Sequence, residues 1–365
     1  MQRKILFVAT EPAPGMIPFA SSIINTLIAS KELDIFCLFV NNGKNSFKKS
    51  LSQEVLAKST FIDLPHASWK KGLIKIFPIP IIYAIKKICK LYNINCIHYL
   101  TGEFTLAFSS LIAFNKNKYT FYYTVHNLHP HQYGKMSIKQ WILDKYINLG
   151  NKINLLNIHN ITTSSQQQYQ ELCNKYPHKK ITFTSFPSLV TNEIIQGDKI
   201  VQELKNTNNY ILFFGSISYY KGVDLLLEAH QQYFPNETIV IAGKGNINMP
   251  LNKNIIRLNR FIDDSEIKYL FKNAKLIVYP YRSATMSGVL SIAYYFKKAV
   301  ITSDVPFFLE NKSPNTQTFH IGDIKDLANK ILKQKKINFQ EIIENDFYEK
   351  KYSKQTLINE YLNLY

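Results

Sequence analysis

Apolar runs alternate with helix-forming stretches along almost the whole chain, and this alternation most constrains the fold. The runs that predict strands are Lys4–Ala9, Asp34–Val40, Cys96–Leu100, Thr120–Val125, Ile161–Thr163, Ile211–Phe214, Thr238–Ala242, Ile255–Leu258, Leu276–Tyr279 and Ala299–Thr302. Strands separated by helices predict parallel sheets covered on both faces. Because the pattern occurs twice, we predict an α/β chain with two doubly wound domains.

A polar stretch between the two halves, Thr191–Asn209, is the best candidate for a linker. A chain of 365 residues is too long for a single core. We therefore predict a first domain at 1–195, a second at 205–345 and a closing amphipathic helix within 346–365. Two such sheets place the carboxyl ends of their strands at a cleft, where α/β proteins bind ligands.

The formal net charge of +18 needs an explanation. Nucleic acid, an anionic membrane and phosphorylated small molecules would all explain it, and so would a biased composition rich in lysine, asparagine and isoleucine. No zinc motif, arginine-rich arm or aromatic RNA-binding signature occurs, which disfavours nucleic acid. No apolar run is long enough for a spanning helix, and the first run is too short for the pattern of a signal peptide. The four cysteines lack metal spacing, so we expect reduced thiols and a cytoplasmic location.

The stretch Tyr210–Ala229 predicts an anion-binding turn. A buried strand ends at Gly215-Ser216, and a helix opens near Lys221-Gly222. Free amides and the positive end of a helix favour an anion, and the lysine adds a full charge. An ordinary β–α turn with a surface lysine is the alternative.

A second polar loop, Tyr279–Leu290, has similar features. Its small residues lead into a helix predicted to begin near Ser287-Gly288, whose first amides, including that of Val289, would face the loop. Arg282 adds a planar donor. A simple N-cap by Ser287 is compatible with anion binding.

Three histidines follow a predicted strand in the segment Thr124–His131. His126 and Asn127 would stand at the strand tip. The spacing of the histidines fits no zinc pattern. A metal site, a structural histidine and a contact between His126 and a substrate are the alternatives.

Two further segments have a structural and a functional interpretation. The loop Thr10–Gly15 follows the first strand but lacks G-x-G-x-x-G, which disfavours a dinucleotide site. The segment Trp69–Tyr92 mixes lysines with large apolar residues, and Pro78 and Pro80 divide it into two helices. It is either an interfacial membrane element or a pair of surface helices with snorkelling lysines.

Three ordered motifs resemble glycosyltransferase family 4. FGSISYYKGVDLLLEA is similar to the family's F-G-R-I-x-x-x-K-G-x-D-x-L-x-x-A, and HNLHPH is similar to H-N-x-x-P-H. YPYRSATMSGVLSIAYYFKKAVITSDVPFFLE resembles P-Y-R-x-A-T-Q-S-G-V-L-x-x-A-Y-x-x-G-K-P-V-I-x-T-D-V-G-G-x-x-E. The resemblance implies the GT-B fold, with two Rossmann-like domains facing a cleft and a last helix that crosses back to the first domain.

The resemblance also implies an activity. It implies transfer of a sugar from a nucleotide diphosphate sugar, with retention at the anomeric carbon and without metal or other cofactor. The expected acceptor is a lipid-linked glycan of cell-surface polysaccharide synthesis, presented at the inner face of an anionic membrane. No nucleic acid partner is implied.

The family's site residues transfer onto this sequence one by one. Lys221 matches the lysine on the donor diphosphate, and His126 matches the histidine that contacts the donor sugar. Together they form the expected catalytic pair. The other donor-binding positions expected from the resemblance are Gly15, Ser216, Arg260, Phe261, Arg282, Ser287, Gly288 and Val289. Glu103 and Asn127 are the expected acceptor contacts.

Several positions depart from the motifs. Ser216 occupies the place of the family's arginine, and we expect Arg282 or Arg260 to compensate for its charge. Ala284 and Ile292 occupy the places of a Glu-x7-Glu pair, Lys297 that of a glycine, and Phe307-Phe308 that of Gly-Gly. A non-catalytic nucleotide-sugar or glycan-binding protein is therefore the alternative function. A phosphorylase or sugar-phosphate synthase is a third.

Overall fold

The computed structural model describes residues 2–13, 15–43, 45–115, 117–129, 138–334 and 341–365. Its first sheet has seven parallel strands in the order β3-β2-β1-β4-β5-β6-β7. These are β1 (Arg3–Ala9), β2 (Leu33–Asn41), β3 (Ser59–Asp63), β4 (Cys96–Thr101), β5 (Thr120–Thr124), β6 (Asn160–Thr163) and β7 (Lys180–Phe183).

The second sheet has six parallel strands in the order β10-β9-β8-β11-β12-β13. These are β8 (Tyr210–Phe214), β9 (Ile239–Ala242), β10 (Ile255–Leu258), β11 (Ala274–Tyr279), β12 (Val300–Ser303) and β13 (Gln317–Phe319). In both sheets the order reverses beside the first strand, as in a Rossmann fold. The predicted fold class is confirmed.

Helices connect the strands in both units. They are α1 (Met16–Leu27), α2 (Gln53–Ala57), α3 (Ser68–Ile76), α4 (Ile79–Tyr92), α5 (Glu103–Phe108), α6 (Ile138–Asn157), α7 (Gln166–Lys175), α8 (Asn192–Gln196), α9 (Val223–Tyr233), α10 (Asp264–Lys272), α11 (Val289–Tyr295), α12 (Pro306–Asn311), α13 (Ile324–Gln334), α14 (Glu341–Lys351) and α15 (Lys354–Leu364). A π-helical turn, Ser109–Ala113, continues α5. Among the described residues, no helix is both long and apolar enough to cross a membrane.

All ten predicted strands are present, with ends shifted by at most two residues, and three further strands escaped prediction. The three are β3, β7 and β13, and each lies at an edge of its sheet. Edge strands have one open side and need no continuous apolar run. In β3 no residue is buried, so its sequence lacks the signal that predicts a strand.

The described chain divides into two compact units. The first contains residues up to 129, residues 138–187 and residues 354–365, and the second contains 188–334 and 341–353. The stretch Thr191–Asn209, which the sequence indicated as a linker, lies inside the second unit. There α8 packs on α10, and Val201 and Leu204 are buried in the core.

The last helix, α15, belongs to the first unit. It packs on α1, and the rings of Tyr361 and Tyr365 join Phe7 and His98 in a buried aromatic cluster. The Tyr365 hydroxyl bonds to His98 Nδ1. Burial lowers the pKa of His98 to about 3, so its imidazole is neutral at physiological pH.

Candidate functional site

Two loops flank the point where the strand order of the second sheet reverses. One follows β8 and runs from Gly215 to Gly222, and the other follows β11 and runs from Pro280 to Gly288. Because β8 and β11 are neighbours, their carboxyl ends meet at one edge of the sheet. Ligands of open α/β sheets bind at this place. The fold therefore brings together the two loops that the sequence indicated as anion sites.

Lys221 lies between these loops, in a short 3₁₀ turn directly before α9. Its side chain is 9% exposed, and its Nζ donates to the Tyr281 hydroxyl at 3.0 Å and stands 4.8 Å from the centre of the Tyr281 ring. Burial lowers the pKa of Lys221 from its ordinary value. The ammonium has no carboxylate partner among the described residues and is therefore available to an anion.

Tyr281 connects Lys221 to the second loop. Its hydroxyl also hydrogen-bonds with Ser287, and its ring packs against Phe308 with centroids 5.0 Å apart. Tyr281 is the tyrosine of the P-Y-R motif, but the resemblance assigned it no role in the site. Its signal in the sequence was a tyrosine two residues after a strand end in a loop of small residues.

Backbone contacts hold the two loops close together. Gly222 has a φ of +65°, and a Cβ atom there would lie 1.9 Å from the Pro280 carbonyl oxygen. The Arg282 amide donates to the Tyr220 carbonyl at 2.7 Å. Only glycine fits at position 222, because both the left-handed conformation and the close approach exclude a side chain. The helix predicted from Lys221 therefore begins two residues later, at Val223.

Arg282 and Arg260, the two arginines expected to replace the missing charge, both have carboxylate partners. Arg282 makes a bidentate ion pair with Asp224, at 2.8 and 2.6 Å. Arg260 makes another with the buried Glu266, at 2.7 and 2.9 Å, and also contacts Glu203. These ion pairs raise the pKa of both guanidinium groups. Phe261, beside Arg260, is exposed.

Ser216 is exposed, and a third loop lies directly beside it. This loop, Gly243–Gly245, follows β9. A Cβ on Gly243 would lie 1.9 Å from the Gly215 carbonyl oxygen, and the Ile217 amide donates to the Lys244 carbonyl at 2.9 Å. Lys244 is exposed and has no ion-pair partner in the part of the chain that the structure describes. The sequence reasoning missed this lysine, although it lies between two glycines at a strand end.

The remaining departures from the motifs lie around the same loops. Ile292 is buried in the core, and Ala284 is partly buried, so neither position offers a carboxylate. Lys297 adopts the left-handed conformation, with a φ of +52°, where the motif has glycine. Phe307 and Phe308 are buried, and Phe308 supports Tyr281.

The predicted donor residues of the second loop are at the start of α11. Gly288 is the N-cap residue of that helix and is buried, and Val289 is its first residue. Ser287 is partly buried and, as noted above, bonds to Tyr281. The first amides of the helix have no partner within it.

In the first unit, His126 lies just beyond the end of β5. It is 5% exposed, and its Nε2 donates to the Leu100 carbonyl at 2.5 Å. The ring of Phe19 packs edge-on against the imidazole, with ring centroids 4.7 Å apart. Burial lowers the pKa of His126 to about 4, so the imidazole is neutral at physiological pH. Because Nε2 carries the proton, Nδ1 is left as an acceptor.

Gln168 holds the backbone around His126, which the sequence did not predict. Its amide group donates to the His126 carbonyl at 3.2 Å and accepts from the Leu128 amide. Asn127, between these two residues, is partly buried, and its carbonyl accepts from Asn151 at 3.3 Å. The strand tip is therefore held by neutral amide and imidazole groups.

The other predicted positions of the first unit lie at neighbouring strand ends. Glu103 is the first residue of α5 and follows Gly102, at which a Cβ would lie 1.8 Å from the Thr10 side-chain oxygen. Gly15 caps α1 with a φ of −82° and has room for a side chain. Nothing local therefore requires glycine at position 15.

A metal site at the histidine cluster was the alternative. Among the described residues, no group of three or more His, Cys, Asp or Glu side chains is arranged to hold a metal ion. His129 instead pairs with Glu171 at 2.8 Å. His131 lies outside the described residues.

Residues 196–353, which lie within the second unit, match the family model of the glycosyl transferases group 1. No curated protein matches the chain. The structure is similar to solved structures whose sequences differ widely from it. The Anabaena protein Alr3699/HepE, crystallised with UDP and glucose, is 15% identical with a TM-score of 0.71, and the match covers 99% of both chains.

Two further solved structures resemble the whole chain. The sucrose-phosphate synthase from Thermosynechococcus elongatus is 13% identical with a TM-score of 0.72, and the match covers 100% of this chain and 98% of that one. A glycosyltransferase from Rickettsia africae is 18% identical with a TM-score of 0.66, covering 100% and 95%. At such low identities the similarity shows the fold, which is that of the GT-B glycosyltransferases. The second unit, in addition, is similar in sequence to the group 1 glycosyl transferases.

Proposed function

We propose that this protein is a retaining glycosyltransferase of family 4 that uses a nucleotide diphosphate sugar. The observation that carries the proposal is Lys221, a buried ammonium without a carboxylate partner among the described residues, at the strand-order reversal of the unit that matches the family model. A diphosphate would supply the missing anion. The solved structures of HepE contain UDP or UDP-glucose, which makes a uridine nucleotide the first donor to test.

Lys221 would stabilise the leaving group. As the bond between the anomeric carbon and the diphosphate breaks, negative charge builds up on the diphosphate, and a pre-positioned cation in a partly buried site stabilises that charge. The acceptor hydroxyl attacks the same face of the sugar, and its proton passes to the departing diphosphate. This scheme needs neither a protein nucleophile nor a metal.

We propose that Lys244 takes over the charge that the motif places at position 216. It stands beside Ser216 on a neighbouring strand tip, whereas Arg260 and Arg282 are both paired with carboxylates. Ser216 then contributes a hydroxyl donor. The amides of Ser287, Gly288 and Val289 complete the phosphate contacts, while Gly15 and Phe261 stay proposed donor contacts from the resemblance alone.

In the first unit, His126 is proposed to contact the transferred sugar, and Glu103 and Asn127 the acceptor. A neutral imidazole with a free Nδ1 suits an uncharged sugar hydroxyl, which can donate to it. The acceptor is proposed to be a lipid-linked glycan in surface-polysaccharide synthesis, met at the inner face of an anionic membrane. These roles rest on the resemblance and on the position of the residues at strand ends.

The experiment that tests this function has two steps. A thermal-shift screen with UDP, GDP, ADP and CMP identifies the nucleotide, since a ligand that binds the folded state raises the melting temperature. The matching nucleotide sugars are then assayed for release of the nucleotide, with and without a lipid extract as acceptor source and with and without EDTA. Turnover that survives EDTA supports the proposal.

A non-catalytic nucleotide-sugar-binding protein is the second candidate. It is favoured by Ala284 and Ile292, which leave the Glu-x7-Glu positions without carboxylates. Binding of a nucleotide without any turnover would support it. Turnover that depends on added phosphate would instead indicate a phosphorylase.

A further inference from the structure

Five helices lie on one face of the first sheet. The chain runs from β1 through β2 to β3 in one direction and from β3 through β4, β5 and β6 to β7 in the other. Because crossovers between parallel strands are right-handed, the reversal of direction moves the connecting helices to the opposite face. The helices α3 to α7 therefore share one face, and α1 and α2 cover the other.

Among these helices, α3, α5 and α6 touch one another. The Tyr146 hydroxyl of α6 donates to the Lys75 carbonyl of α3 at 2.6 Å, and the Tyr146 ring stacks on Phe104 of α5 at 4.2 Å. The π-helical turn also contacts α6, and α3 contacts α5. The outward residues of these elements thus belong to one continuous side of the unit.

This side exposes large apolar groups. We call it the tryptophan surface and define it by Trp69, Leu73, Phe77, Ile112, Trp141 and Ile142, all of which are exposed. Trp69 and Trp141 are the only tryptophans of the chain, and they are 66% and 54% exposed. In α3, no residue is buried, although the helix carries Trp69, Leu73 and Ile76. A nine-residue helix with an exposed apolar face indicates a surface that binds another molecule or a membrane.

The charge around the tryptophan surface is positive. The segment from Ser68 to Tyr92 contains six lysines and neither aspartate nor glutamate. Each tryptophan has a lysine over its ring, with Lys70 Nζ 5.4 Å from Trp69 and Lys145 Nζ 5.7 Å from Trp141. Tryptophan and lysine together are typical of helices that lie in the headgroup region of a bilayer.

We propose that the tryptophan surface binds the headgroup region of an anionic phospholipid bilayer. The inference deepens the membrane contact of the proposed function by naming the residues that enter the bilayer. A protein partner would have to be strongly acidic and apolar at once. A second copy of this chain would place lysines against lysines. An anionic bilayer supplies both the negative charge and the apolar layer, which makes it the occupant that fits best.

The two tryptophans make the test direct, because they report on this surface alone. Full-length protein is mixed with phosphatidylcholine vesicles with and without phosphatidylglycerol, and tryptophan emission and co-sedimentation are recorded. We expect a blue shift and sedimentation only with the anionic vesicles, reversed by high salt, since screening weakens the lysine contribution. The single variants Trp69→Phe and Trp141→Phe should each keep part of the blue shift.

Substitutions then test the surface itself. Replacing Lys70 and Lys71 by glutamate should weaken vesicle binding at least about tenfold, because one lysine near an anionic surface accounts for about a fivefold change. The double variant Trp69→Ala, Trp141→Ala should also lose about tenfold or more. The matched controls are Lys253→Glu with Lys312→Glu, and Ile321→Ala, which are exposed residues of the second unit and should bind as the wild type does.

Three results would overturn the inference. They are no blue shift with anionic vesicles, equal binding of the tryptophan double variant and the wild type, and a wild-type dimer that this double variant converts to monomers. An assay of donor turnover in detergent, without vesicles, distinguishes failure of this inference from failure of the proposed function. It measures the release of nucleotide from the donor sugar. The tryptophan double variant should keep this activity, because its substitutions lie outside the proposed donor site. A wild-type protein that binds anionic vesicles but releases no nucleotide from any donor sugar would contradict the proposed function and not the membrane surface.

Discussion

The two units have the same strand order around their first strand but very different side chains at the strand ends. In the second unit, the buried ammonium of Lys221 has no carboxylate partner in the described part of the chain, and it lies beside the Tyr281 hydroxyl between loops held by glycine contacts. In the first, the strand end carries a neutral histidine held by a carbonyl and by Gln168. The same Rossmann topology therefore carries a buried cationic side chain at the strand ends of one unit and a neutral polar side chain at those of the other. The side chains, not the topology, indicate the ligand.

The largest effect on donor turnover should come from replacing Lys221, the buried cation of the second unit, by alanine. We expect kcat/KM for the donor sugar to fall about 10²- to 10³-fold, the range seen when one charge-stabilising donor is removed from a catalytic site. Steady-state kinetics with the identified donor measure it. Lys253→Ala, an exposed lysine of the same unit, is the control and should retain wild-type turnover. A Lys221→Ala enzyme as active as that control would contradict the assignment.

The pH dependence should separate the two units. The lowered pKa of Lys221 means that its charge is lost as the pH rises, at values below the ordinary lysine pKa of 10.5. The donor kcat/KM should then fall about tenfold per pH unit on the alkaline side. Lys221→Arg should move this fall to higher pH, because a guanidinium stays protonated.

His126 should behave in the opposite way. Its pKa of about 4 leaves it neutral from about pH 5 upward, so no ionisation of His126 should appear between about pH 5 and 8. A rate profile with a step near pH 6.5 that disappears in His126→Gln would show that the imidazole titrates. That result would contradict the neutral strand end of the first unit.

A smaller effect is expected for Tyr281→Phe. The change removes the hydroxyl that accepts from Lys221 but keeps the ring that packs against Phe308. One hydrogen bond of this kind is worth about 1 kcal/mol, so donor affinity should fall roughly fivefold. Calorimetric titration with the nucleotide measures it. Tyr210→Phe, a buried tyrosine of the same unit whose hydroxyl donates to the Leu270 carbonyl, is the control, and an equal loss in both variants would remove Tyr281 from the site.

The smallest effect concerns stability alone. Lys297 is in the left-handed conformation, which costs a residue with a side chain about 1 kcal/mol relative to glycine. Lys297→Gly should therefore raise the free energy of unfolding by up to about 1 kcal/mol in urea titrations, without a change in turnover. Lys298→Gly, next to it but without a positive φ, should destabilise the protein. Destabilisation by both variants would show that the lysine side chain makes contacts that outweigh the strain.

Much of the fold followed from the sequence, because buried parallel strands need continuous apolar runs. The strands that escaped prediction, β3, β7 and β13, lie at sheet edges, where one side is open and polar residues are tolerated. The divided helix pair before β4 was predicted from Pro78 and Pro80, and α3 and α4 end and begin beside them. Helix starts were less well predicted. For example, α9 begins at Val223 and not at Lys221, because Gly222 adopts a left-handed conformation in close contact with Pro280.

The candidate site was predictable only where a motif carried it. Lys221 and Ser287 were indicated by the sequence, and the structure brings them together through Tyr281. The ion pair of Arg282 could not be read from the sequence, because its partner Asp224 lies 58 positions away along the chain. Arg260 pairs with Glu266, only six positions away, but no local pattern distinguishes this glutamate from an unpaired one, and its second partner, Glu203, lies 57 positions away. Gln168 lies 42 positions from His126. Such pairs depend on tertiary contacts, for which local patterns carry no signal.

The central claim is that the second unit binds a nucleoside diphosphate through Lys221, and one titration tests it most directly. The affinities of the wild type and of Lys221→Ala for UDP and for uridine are measured by calorimetry, so that the contribution of the diphosphate is isolated. We predict that the wild type binds UDP far more tightly than uridine, and that Lys221→Ala loses most of this preference while its uridine affinity is unchanged. Equal preference for UDP in both proteins would contradict the claim.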